Sequence, residues 1–132
     1  MLVIIDTSAI IAVLVNEPER AALVDATLGA ELAAPGSVHW EVGNALSALL
    51  KRRRATLTQA QQAIRAYAAI PIRFMEVDLA LALDLASTHD LYAYDAYLIA
   101  CALAQKAPLL TLDKGLQRAA RVAGIEILEL RP

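Results

Sequence analysis

Leu2-Val3-Ile4-Ile5-Asp6-Thr7-Ser8-Ala9 is the stretch that decides the fold class. Three of its first four residues are β-branched, and none is polar, as in a strand buried on both faces. The run stops at a carboxylate followed by two hydroxyls. Thr7 or Ser8 can cap a helix whose body is the apolar segment Ala9 to Val15. Strand, polar turn, helix is the unit of an α/β fold, and it recurs along the chain.

Asn16-Glu17-Pro18 restarts a helix, with Pro near its first position and Leu23, Val24 and Leu28 as its apolar face. Leu32-Ala33-Ala34 reads as a weak strand ending at Pro35-Gly36. Ser37 then caps a long helix to about Arg53, where Val42, Leu46, Leu49 and Leu50 recur at helical spacing. Thr58-Gln59-Ala60-Gln61 has the form of a capping box opening a helix to about Ala69. Ile72 to Val77 reads as a strand, and Asp78 caps a helix over Leu79 to Ala86. A helix follows from Asp95 to Lys106, then a strand over Leu109 to Leu112. Lys114 to Ala123 is helical with Gly124 at its C′ position, and Ile125 to Leu130 is a closing strand. This alternation predicts a three-layer α/β/α domain around a parallel sheet of four to five strands. No linker or repeat divides it, so residues 1–132 are expected to form one domain.

Composition narrows the function classes. Hydrophobic residues make up 58% of the 132 and charged residues 20%, and the mean hydropathy is +0.50. Such a chain is no disordered tail, and its apolar surplus predicts a dimer or a covering partner. The single cysteine, Cys101, excludes an internal disulfide and a cysteine zinc cage, which suits a reducing, cytoplasmic setting. The longest apolar run, Ala9 to Val15, is far short of the roughly 18 residues of a membrane span. A net charge of −2 argues against a dedicated DNA-coating protein. The dense basic run Lys51-Arg52-Arg53-Arg54 reads first as a solvated helix end and second as a rail for RNA phosphates.

In a parallel sheet, ligands bind beyond the carboxyl ends of the strands. Asp6 ends the first strand there and Asp113 follows the fourth, while Asp95 stands near the start of the helix leading into that strand. Glu41 is one turn into the helix after the second strand, with Asn44 three residues on. Each has a plainer structural role open to it: a helix cap for Asp6, a dipole partner for Asp95, a solvated side chain for Glu41, turn chemistry for Asp113. Convergence of all four on one edge is harder to explain by those roles. Clustered carboxylates repel unless a cation joins them. Oxygen donors without cysteine or paired histidines suit Mg²⁺ or Mn²⁺ rather than zinc, and such ions serve phosphodiester hydrolysis.

Four blocks carry a resemblance: Ile4-Ile5-Asp6-Thr7-Ser8-Ala9, Glu41-Val42-Gly43-Asn44-Ala45-Leu46, Tyr94-Asp95-Ala96-Tyr97-Leu98-Ile99-Ala100 and Leu110-Thr111-Leu112-Asp113-Lys114. In order and spacing the chain resembles PIN domains, and in length the VapC-type toxins of type II toxin–antitoxin pairs. The resemblance implies an endoribonuclease dependent on Mg²⁺ or Mn²⁺, leaving 5′-phosphate and 3′-hydroxyl ends, dimeric and held by a cognate antitoxin. It implies Asp6, Glu41, Asp95 and Asp113 as catalytic metal ligands, with Thr7, Ser8, Asn44 and Thr111 as supporting polar groups. Gly115 stands where some relatives have a further aspartate, which implies a second metal held weakly or only with RNA ligands.

Other classes remain as alternatives. Aspartate-based phosphatases want a second Asp two residues after the first, where this chain has Ser8, and receiver domains want paired acids where Asp6 stands alone. A catalytically silent PIN-like module binding RNA or a partner is the non-enzyme alternative. His39, His89 and Cys101 are read as structural or surface residues, and Trp40, Tyr92, Tyr94 and Tyr97 as core or interface aromatics or base-stacking groups.

Overall fold

The computed structural model describes residues 1–131. Strands β1 (Leu2–Ile5), β2 (Glu31–Pro35), β3 (Ile72–Met75) and β4 (Leu109–Leu110) form one sheet in the order β3-β2-β1-β4. All pairings are parallel, with Ile4 opposite Ala33 on one side and Leu109 on the other. The order places β1 at the centre, and the switch from β2 to β4 around it is where a ligand crevice forms. Val3 and Ile4 are fully buried, as their apolar run requires.

Helices flank the sheet in three α/β/α layers. They are α1 (Thr7–Leu14), α2 (Arg20–Ala26), α3 (Ser37–Lys51), α4 (Leu57–Ala68), α5 (Leu79–His89), α6 (Ala93–Gln105) and α7 (Lys114–Val122). Helix α6 packs across β1, β2 and β4 and is backed by α5, while α1 packs on α2, α3 and α4. Helix α6 is short of polar residues from Ala96 to Ala102 because this stretch is buried under its neighbours, where Leu98, Ile99 and Cys101 join the core.

Several boundaries differ from the sequence expectation, each for a local reason. The cap of α1 is Asp6, whose carboxylate accepts from Thr7 N–H. The capping box of α4 is Thr56 with Gln59, two residues earlier than expected: Thr56 Oγ1 accepts from Gln59 N–H at 3.1 Å and Gln59 Oε1 from Thr56 N–H at 2.9 Å. Arg53 turns left-handed (φ 57°) and ends α3 early. The expected strand 125–130 reduces to one parallel bridge, Leu109 with Ile127. Gly124, at φ 88°, does take the C′ position of α7, and Ile125 N–H reaches back to the Ala120 carbonyl.

Candidate active site

The turn leaving β1 and the turn leaving β4 lie side by side and are tied by side chains. Asp6 is buried, and its Oδ1 accepts from Thr7 N–H at 2.7 Å. Its Oδ2 accepts from Ser8 Oγ at 2.8 Å and from Thr111 Oγ1 at 2.6 Å. Ser8 Oγ in turn accepts from Leu112 N–H at 3.0 Å, and Thr111 Oγ1 from Asp113 N–H at 3.1 Å. Gln117 completes the knot, its amide donating to the Thr111 carbonyl at 2.7 Å. The hydroxyls after β1 and in the β4 turn therefore fix the first carboxylate and the backbone that carries the last. Charge-assisted bonds of this kind are the stronger class.

The remaining acids arrive on helices. Glu41 lies on α3, two turns from its start at most, and Asp95 in the first turn of α6. Burial, then Asp6, then Asp95 push the Glu41 carboxyl up from 4.5 to about 7, against a smaller lowering by the Thr7 hydroxyl. Asp95 is raised as well, by burial first and then by Asp113 and Asp6. These couplings chain the four acids: Asp6 with Glu41 and Asp95, Glu41 with Asp95, and Asp95 with Asp113. Glu41 Oε1 and Thr7 Oγ1 are both buried without a hydrogen-bond partner among the described residues. Asp95 makes no bond to the α6 backbone, and that helix has no side-chain cap. A capping role does not account for it.

Asp113 has a second task. Its Oδ1 accepts from Gly115 and Leu116 N–H at 2.9 and 3.2 Å, capping α7. Among the described residues no three His, Cys, Asp or Glu side chains are gathered tightly enough to enclose an ion as they stand. The donor set nevertheless suits a hard divalent cation: all ligand atoms are oxygen, two carboxyls are held above their ordinary range by burial and then by like charge, and the buried Glu41 Oε1 and Thr7 Oγ1 lack partners among the described residues.

Other expected residues fall outside this knot. Asn44 is exposed, and among the described residues its side chain bonds to none of the acids. Lys51 to Arg54 are exposed at the far end of α3, ten residues and so about 15 Å along the axis from Glu41. His39 Nδ1 pairs with Tyr67 Oη at 3.0 Å within a ring cluster that includes Trp40 and Phe74. Tyr94 and Tyr97 meet edge to face at 5.9 Å. Cys101 is buried and its thiol is pushed up to about 11, which makes it an inert apolar group. The sequence reading missed Gln117 and the nearness of Thr7 to Glu41. Only Gln117 had a legible signal: it is the first α7 residue one turn past Asp113.

A family model described as PIN domain matches residues 3–122. Three solved structures have the same fold. PAE2754 from Pyrobaculum aerophilum aligns with TM-score 0.67 and 21% identity over 90% of this chain and 84% of that one. VapBC2 from Rickettsia felis, bound to a DNA fragment from their promoter, aligns with TM-score 0.69 and 14% identity over 98% of each chain. VapC20 from Mycobacterium tuberculosis, a sarcin–ricin-loop cleaving toxin, aligns with TM-score 0.68 and 16% identity over 98% of this chain and 99% of that one. A comparison with curated proteins finds no match.

Proposed function

The chain belongs to the PIN domain family, and from that premise we propose that it is an endoribonuclease dependent on Mg²⁺ or Mn²⁺ and the toxin of a toxin–antitoxin pair. The observation that carries the proposal is the set of electrostatic couplings among Asp6, Glu41, Asp95 and Asp113 at the carboxyl edge of the parallel sheet. The likeness to a VapBC assembly and to a sarcin–ricin-loop cleaving VapC toxin supports the toxin role and an antitoxin partner.

Asp6, Glu41, Asp95 and Asp113 would hold the ion. A bound divalent cation supplies positive charge against the scissile phosphate and lowers the pKa of an attacking water. Asp6 presents its carboxylate already oriented by Thr7 N–H, Ser8 and Thr111, so little rearrangement is needed there. Glu41 and Asp95 come from separate helices, α3 and α6. In-line attack by water leaves a 5′-phosphate and a 3′-hydroxyl and needs no protein nucleophile.

The test is Asp6→Asn assayed on RNA with Mg²⁺. An amide keeps the shape but supplies no anionic ligand, so cleavage should fall by about two orders of magnitude or more. Cleavage near the wild-type rate would reject the metal-site assignment.

A further inference from the structure

Resting on the ribonuclease reading above, we propose that the groove along α7 is the track for the RNA backbone, with Lys114 and Arg118 as its phosphate contacts and Arg121 extending it. The groove has a volume of about 470 Å³. One wall is cationic: Lys114, Arg118 and Arg121 recur at i, i+4 and i+7 and so share one stripe of the helix. The other is apolar, with Leu112, Ile127 and Leu130. A nucleotide has this same duality, a charged phosphate beside an apolar ring face.

Three features favour RNA over another occupant. Thr111 lines the groove and its hydroxyl donates to Asp6, so the groove adjoins the turn that ties β4 to the acids, none of which lines the groove itself. An ideal Cβ on Gly115 would stand 3.3 Å from Asp113 Oδ1 and 3.8 Å from Arg118 Nη2, so the guanidinium and that carboxylate border one small space. Gly115 keeps that space open at the point where the track meets the site. The charge balance also allows it. Glu19 and Glu129 line the groove too, but Glu129 is paired with Arg121 at 3.0 Å, the one ion pair among the described residues. Among the described residues Lys114 and Arg118 have no carboxylate partner within ion-pair distance. The stripe from Lys114 to Arg121 spans about 10 Å along the helix.

The experiment measures binding of a short fluorescein-labelled single-stranded RNA in an Asp6→Asn background as a function of salt. Cleavage of the same RNA by the wild-type chain with Mg²⁺ is followed in parallel. Lys114→Gln with Arg118→Gln should weaken binding at least about tenfold and reduce the slope of log affinity against log salt by about 1.4, two single-strand phosphates' worth. The charge-keeping pair Lys114→Arg with Arg118→Lys should restore the slope, and Arg65→Gln on α4 should leave it unchanged. Both target side chains are exposed, and equal melting temperatures will exclude misfolding. Cleavage by the wild type with an unchanged slope in the double Gln variant overturns the track alone. Retained RNA affinity with lost binding of an Asp/Glu-rich peptide assigns the groove to a protein and overturns it too. If the wild-type chain neither binds nor cleaves RNA, the ribonuclease reading falls and the track with it.

Discussion

Glu41 is the residue at which the cost of the site is concentrated. Its carboxyl is held up to about 7 by burial and by Asp6 and Asp95, whereas an unfolded chain releases that proton near 4.5. Between those values the folded state binds more protons than the unfolded one, so stability falls as pH rises through the window. The penalty is absent below about 4.5 and complete above about 7. Glu41 is only half-buried, so after solvent screening the loss is on the order of 1 kcal/mol. Glu41→Gln should therefore flatten the pH dependence of melting between pH 4.5 and 7 and raise stability at neutral pH. A variant whose melting follows pH as the wild type does would mean that Glu41 is not in this electrostatic environment. Asp95, raised by burial, Asp113 and Asp6, acts in the same direction.

The elements show why some of this was legible and some was not. A carboxylate closing a β-branched run, followed by two hydroxyls, foretold the β1–α1 turn because strand burial and helix capping are both local demands. The register of the α4 box was ambiguous locally. Thr56 and Thr58 each precede a glutamine by three residues, and only the packed structure selects Thr56. The shortness of β4 was not legible either: the Thr111 carbonyl accepts from the Gln117 side chain instead of a neighbouring strand, while its hydroxyl binds Asp6 and Asp113 N–H. That dual role makes Thr111 a joint between the turns after β1 and β4. Thr111→Val keeps the shape but removes one of the two hydrogen bonds on Asp6 Oδ2 and leaves the Asp113 N–H without its partner, and should cost about 1–3 kcal/mol by denaturant unfolding. A cost below a few tenths would mean that the two turns are not tied through this hydroxyl.

For the molecule as a whole, the α/β class followed from the alternation of apolar runs and helical segments. The bond between Asp6 and Thr111 did not, because residues 105 apart in sequence meet only once β1 and β4 pair. The apolar surplus now has an address as well. Leu79 and Leu83 stand exposed one turn apart on α5, and Tyr92 and Tyr94 are exposed at the start of α6. Covering such a face by a second copy predicts a mass of twice 14.1 kDa in light scattering at tens of micromolar; the monomer mass would contradict it. The central claim is that Asp6, Glu41, Asp95 and Asp113 share one divalent ion, and it is tested most directly by four melting curves: wild type and Asp95→Asn, each with and without Mg²⁺. Binding to the folded state alone stabilises by about 2.7 kcal/mol when the ion is at 100 times its Kd. The expected result is a higher melting temperature for metal-free Asp95→Asn than for metal-free wild type, with most of the Mg²⁺ shift lost. A Mg²⁺ shift as large in Asp95→Asn as in the wild type would contradict the claim.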